Sequence, residues 1–161
     1  MPGDRFWPTI VLEFGYAEPY DDLKDDVRLL LEGSRGKISK VIITKIEPLG
    51  EGETEVQRGF VEMWHLSEGR VKKDGGRKVI FHNYLTPGVT FTNPQLENPF
   101  PPPRSHASQK LEITLRDILQ SEFANLRDEG WEENHIIALP FDHLRSWIKK
   151  ATRRHLIQQG V

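Results

Sequence analysis

Apolar and polar positions along this chain follow two different periods. Residues 9–14, TIVLEF, form a short apolar run rich in β-branched side chains, bounded by Pro8 and Gly15. That pattern predicts a buried strand. From residue 18 the period becomes helical. Tyr20, Leu23, Lys24, Val27, Leu30 and Leu31 share one face at three- and four-residue spacing. Pro19 suits the first helical turn, where its missing N–H costs nothing. Asp21 and Asp22 complement the positive end of the helix dipole, and Gly33 is a natural stop. Residues 40–46, KVIITKI, are the next strand. Strand, helix, strand at this spacing is a βαβ unit, expected to be parallel and right-handed.

The middle of the chain reads differently. Residues 56–66, VQRGFVEMWHL, predict a strand with Phe60, Trp64 and Leu66 on its more apolar face. A turn at Ser67-Glu68-Gly69, a short strand at 70–73, a turn at Asp74-Gly75-Gly76 and a strand at 78–82 complete an antiparallel meander. Residues 83–108 read as a long surface loop containing the stiff stretch NPFPPPRSH. A short strand follows at 111–113. Thr114 then caps a helix with Leu115, Ile118, Leu119, Glu122, Phe123 and Leu126 on one face. Residues 135–139 predict another strand, and 142–159 a terminal helix. No internal repeat divides the chain. It reads as one domain of 161 residues, with a core and meander at 8–82, a proline-rich loop at 83–109 and C-terminal strands and helices at 110–161.

Composition narrows the function classes. The chain has no cysteine, which excludes disulfides and thiolate metal sites. No apolar run approaches the roughly 20 residues of a membrane span, and the first residues carry no signal pattern. The expectation is an intracellular protein, cytoplasmic or nuclear, with no membrane partner. Net charge is −2 but uneven: residues 1–32 hold eight acids against three bases, while residues 140–161 hold five bases against Asp142 alone. Those five, Arg145, Lys149, Lys150, Arg153 and Arg154, exceed what helix-dipole compensation needs. They form a candidate surface for the phosphates of DNA or RNA; the other reading is a solvated helix face. The six histidines show no metal-ligand spacing, and GSRGK and DGGRK match no phosphate loop.

One residue breaks the first strand's pattern. Glu13 sits in an otherwise apolar run, where a carboxylate needs a cation, a metal or a proton. Its context is Pro8, the strand Ile10–Leu12, Glu13, Gly15, Tyr16, then Ala17-Glu18-Pro19 and a helix. This resembles the back half of the restriction-endonuclease-like core, the PD-(D/E)xK nuclease superfamily. It is most similar to an endonuclease branch and a related fungal group in which an acid, a glycine and an aromatic precede the helix. The later stretches GFVEMWHL and GGRKVIF suit the downstream part of that group, and LEITLRDIL gives a weaker echo. The resemblance implies that Glu13 is the metal-holding acid, with the Phe14 carbonyl as a further Mg²⁺ ligand. A lysine would orient the attacking water. In the family motif that lysine falls where this chain has Gly15; Lys24, on the following helix, and Lys45, in the next strand, are the substitutes. Thr9 stands where the family has an aspartate. The second metal acid would come from Asp21, Asp22 or a partner chain.

The expected fold is therefore α/β or α+β: a mixed sheet with a βαβ unit and a meander, restriction-endonuclease-like, with the front half of its core absent or replaced. An uncovered sheet edge invites pairing with a second chain, so a homodimer is one expectation. Three functions stay open. The first is a catalytically degenerate nuclease-like module that binds nucleic acid or another partner, favoured because a one-acid site holds Mg²⁺ poorly. The second is an active Mg²⁺-dependent phosphodiesterase using Glu13 and Lys24. The third is a structural protein with no nucleic-acid role, in which Glu13 reaches solvent or pairs with Lys24 or Lys45.

Overall fold

The computed structural model of the chain describes residues 7–82, 109–125 and 129–160. The proline-rich stretch and Leu126 lie outside the described residues. The first block runs β1 (Ile10–Gly15), α1 (Tyr20–Gly33), β2 (Lys40–Ile46), β3 (Arg58–Ser67), β4 (Arg70–Lys73) and β5 (Lys78–His82). The second runs β6 (Lys110–Thr114), α2 (Leu115–Leu119), a 3-10 segment Gln120–Asn125, β7 (Ile136–Pro140) and α3 (Phe141–Gln159). The architecture is α+β with a mixed five-stranded sheet and a separate two-stranded ribbon of β6 and β7.

The βαβ expectation holds in its pairing. β1 lies parallel to β2, Ile10 opposite Lys40 through Gly15 opposite Lys45. α1 forms where the helical period begins, with Pro19 just outside it at the N-cap. Its buried stripe is Leu23, Val27 and Leu31, packed against Ile38, Val41 and Ile43. Side chains alternate across a strand. Val11, Glu13, Val41, Ile43, Phe60, Glu62 and Trp64 therefore face α1. The opposite face carries Ile42, Ile46, Val61 and Met63, which join Ile80, Leu111, Ile113, Phe141 and Ile148 in a second apolar cluster. The sheet is thus the middle layer, with α1 on one side and the β6–β7 ribbon and α3 on the other.

The expected meander takes another form. β3 is antiparallel to β2, but β4 and β5 do not follow each other across the sheet. Both pair with β3, β4 along residues 64–67 and β5 along 58–61. They are one edge strand interrupted in the middle. Trp64 is opposite Lys73 and Val61 is opposite Lys78. The four residues Asp74, Gly75, Gly76 and Arg77 thus stand against only Glu62 and Met63. The Asp74 N–H donates to the Met63 carbonyl at 2.7 Å. Lys73, opposite Trp64, and Arg77, beside Lys78, both face α1 by strand alternation; the bulge between them seats both at Glu62, and Gly75, at φ +72, supplies the left-handed turn it needs.

The helix expected after Thr114 is shorter than its apolar period. Thr114 does cap it: its Oγ1 accepts from Asp117 N–H, and the Asp117 side chain accepts from Thr114 N–H, a complete capping box. Gln120 then leaves helical geometry at φ 46, and its side-chain amide donates to the Lys37 carbonyl at 2.7 Å. A long-range tie replaces the next helical turn. Among the described residues no helix is long and apolar enough to cross a membrane.

Candidate functional site

Glu13 occupies the middle of β1, opposite Ile43 and facing α1. It is half-buried, and no cation approaches it among the described residues. Burial pushes its carboxyl above the ordinary carboxylate value, and the charges of Asp26 and Glu18 push it further. The electrostatics are those of an acid among acids.

The lysines named as its partners are engaged elsewhere. Lys24 pairs with Asp21 at 2.6 Å, one turn back on α1, and lies 5.0 Å from the Tyr20 ring centre. It does not pair with Glu13. Lys45 is buried beside the end of β1. Its ammonium donates to the Tyr16 carbonyl at 2.8 Å and the Ile46 carbonyl at 3.0 Å, with Glu47 at 3.9 Å. It ties the β1–α1 connection to β2, a structural duty for a charge that could not otherwise stay buried.

The position that holds lysine in the superfamily motif is closed. A Cβ on Gly15 would lie 2.5 Å from Leu23 Cδ1, inside the fully buried stripe of α1. The helix packs on the strand at this point, so any side chain here must displace the buried Leu23. The acid side of the motif fares no better. Asp21 and Asp22 are exposed on the first turn of α1, and no group of three His, Asp or Glu side chains among the described residues could hold a metal ion.

The charge centre of this face is Glu62, which sequence reading passed over. Its side chain is fully buried. The Tyr20 hydroxyl donates to Oε2 at 2.5 Å, Lys73 Nζ donates to Oε1 at 2.7 Å, and Arg77 Nε donates to Oε1 at 2.5 Å. The Arg77 guanidinium lies 3.7 Å from the Phe60 ring centre and 4.7 Å from that of Tyr20, while Lys73 lies 5.0 Å from the ring centre of Trp64. Burial pushes the Glu62 carboxyl upward, but the hydrogen bonds from Lys73, Tyr20 and Arg77 outweigh it and hold it below the ordinary carboxylate value. The same contact, with burial as the larger cause, pushes the Tyr20 hydroxyl up to about 12. A signal for Glu62 was present: it alternates with Phe60 and Trp64 on the apolar face of β3, as Glu13 does in β1. The two strands carry the same anomaly, and only one of the two acids is neutralised.

The cations of α3 divide in two. Arg145 turns inward, donating from Nε to the Ile80 carbonyl at 2.8 Å and from a terminal nitrogen to Asp142 at 2.6 Å. Lys149 lies 3.6 Å from Glu55. Lys150, Arg153 and Arg154 are exposed and have no carboxylate partner among the described residues. Beside them Trp147 is 67% exposed, with Lys150 5.3 Å from its ring centre. A separate polar cleft of about 630 Å³ opens on the sheet face away from Glu13, between Lys40, His65, Arg116 and Asp117. Lys40 is held there by Asp74 and, at 3.7 Å, by Asp117.

Comparison with family models, curated proteins and solved structures yields no match to this chain. The nuclease resemblance therefore rests on the residues quoted for it.

Proposed function

We propose that this protein is a non-catalytic module on a degenerate restriction-endonuclease-like scaffold, and that it contacts nucleic acid through α3. The observation that carries the reading is the distal face of that helix. Trp147, Lys150, Arg153 and Arg154 present an exposed indole and three cations that no carboxylate occupies among the described residues. A flat aromatic beside unpaired cations suits a strand of DNA or RNA, whose bases stack on the ring while its phosphates meet the charges. The non-catalytic half of the reading draws on β1 and α1. Leu23 fills the space a lysine at position 15 would need, Lys24 is held by Asp21, and Lys45 is committed to main-chain carbonyls.

Anisotropy of a labelled single-stranded oligonucleotide across a salt series tests the binding half. The wild type should bind with a steep salt dependence. Replacing Lys150, Arg153 and Arg154 together by alanine should flatten the slope by about two, roughly 0.7 per lost phosphate contact on a single strand. Trp147→Ala should weaken binding by about 10-fold or more if a base stacks on the ring. Absence of binding at low salt would overturn the nucleic-acid reading. Plasmid and single-stranded DNA incubated with Mg²⁺ or Mn²⁺ should stay intact; cleavage abolished by Glu13→Gln would overturn the non-catalytic one.

A further inference from the structure

The outer edge of β1 is unlike a protected sheet edge. Among the described residues β1 pairs with β2 alone. Natural edges are blunted by charge, proline or a bulge. β1 has no proline or bulge; its one charge, Glu13, is an inward-pointing guard on the α1 face, and the other face carries none. On the other face Leu12 is 62% exposed and Phe14 is 52% exposed.

The direction of the free backbone groups follows from one contact. The Thr9 carbonyl accepts from the N–H groups of Ser39, at 2.7 Å, and Lys40, at 3.4 Å, so Thr9 directs its polar groups toward β2. Alternate residues of a strand do the same. Val11, Glu13 and Gly15 therefore bond toward β2, while the N–H and C=O groups of Ile10, Leu12 and Phe14 point to the open edge.

We propose that two copies of this chain join through β1, antiparallel and edge to edge about a two-fold axis at Leu12, merging their sheets. An antiparallel pair sets edge-pointing residues opposite edge-pointing residues. The axis must then pass through a residue; at either end, Ile10 or Gly15, it would carry most of the pairing out of β1, which leaves four centres. An axis at Val11 leaves Phe14 without a partner. An axis at Phe14 runs the pairing past the end of β1 into Tyr16. An axis at Glu13 sets that carboxylate about 4.5 Å, Cα to Cα, from its own copy, with like charges directly opposed. The axis at Leu12 places Ile10 opposite Phe14 of the partner subunit and Leu12 opposite Leu12 of the partner subunit, all on one face. Glu13 then lies beside Val11 of the partner subunit. This register covers both exposed apolar side chains and completes about six main-chain hydrogen bonds. The strand is its own complement, which favours a second copy over a foreign strand. The contact is small, on the order of 300–400 Å² per protomer against roughly 800 Å² for a standard interface, so the dimer is weak and concentration-dependent.

Sedimentation velocity from about 5 to about 300 μM brackets the affinity expected of such a contact. The wild-type mass should rise from 18.6 kDa toward twice that value. Leu12→Lys should stay monomeric throughout, with circular dichroism confirming its fold, and Phe14→Lys provides the same test should Leu12→Lys fail to fold. Leu29→Lys, equally exposed on α1, should behave as wild type. The register is read separately, because the chain has no cysteine of its own. Under mild oxidation Leu12→Cys should form a covalent dimer, its two Cα atoms lying about 5.5 Å apart on the axis, within disulfide reach. Glu13→Cys and Leu29→Cys should not. A monomer at the highest concentration, or a mass rise untouched by Leu12→Lys and Phe14→Lys, overturns the interface. Stronger cross-linking of Glu13→Cys than of Leu12→Cys overturns the register. The oligonucleotide measurements are independent of all three results.

Discussion

Glu62 is the residue whose replacement tests the packing of the α1 face most directly. Its buried carboxylate accepts three hydrogen bonds, two of them from cations. Breaking a buried ion pair by removing one partner costs about 3–5 kcal/mol, because the other charge is left behind. Here the other charges are not sealed in: the Lys73 and Arg77 side chains stay 33% and 24% exposed and can regain water. Glu62→Gln keeps the shape and part of the hydrogen bonding, so the expected loss is about 2–3 kcal/mol. At roughly 2–4 °C per kcal/mol for a chain of this size, the melting temperature should fall by about 4–12 °C. Urea unfolding followed by circular dichroism gives the free energy, and thermal melts the temperature. The pH dependence supplies a second readout. Since the folded-state carboxyl lies below its unfolded value, the unfolded chain binds the proton more readily in that window. The stability Glu62 contributes is present above the unfolded value, near 4.5, and is lost as pH falls through the folded one. The gap between wild type and Glu62→Gln should therefore be widest near neutrality and close in acid. A loss below about 1 kcal/mol at pH 7, the scale of one ordinary hydrogen bond, or a gap that does not shrink in acid, would overturn this role for Glu62.

Three other residues on the α1 face carry their own expected outcomes. Tyr20→Phe removes one donor and leaves Glu62 with its two cations, so it should cost about 1–1.5 kcal/mol in urea unfolding. With the Tyr20 hydroxyl raised to about 12, wild-type stability should decline between about pH 10 and 12 as the unfolded chain ionises first, a slope that Tyr20→Phe should lack. Gly15→Ala drives a methyl against Leu23 in the closed β1–α1 contact and should cost about 1–3 kcal/mol, with Leu23→Ala partly relieving the clash in a double-mutant cycle. Glu13 has the opposite sign to Glu62: its folded value is raised, so its charge opposes folding at neutral pH. Glu13→Gln should raise the melting temperature at pH 7 and show no gain at low pH; a drop at pH 7 would mean that a cation neutralises the carboxylate.

The local order of this protein is legible from its residues alone. Hydrophobic period and punctuation located β1, α1 and β2, with β2 at the bounds expected for it, because these elements depend on neighbours two to four residues away. The Thr114 cap was legible for the same reason. The bound of the next helix was not, since the side chain that ends it reaches Lys37, far away in the chain. The candidate site shows the same division. Alternation exposed Glu13 as an acid out of place, yet its environment was decided by packing. Leu23 occupies the space above Gly15, and Lys24 and Lys45 turn to Asp21 and to backbone carbonyls. Glu62 stood in an identical pattern, and its importance depended on the bulge at residues 74–77, which carries Lys73 and Arg77 to it, and on α1 docking Tyr20 from 42 residues away. A carboxylate's position is written in the period of its own strand. Whether a cation, a tyrosine or another acid meets it is settled only when distant segments pack, because charge compensation acts through space and not along the chain.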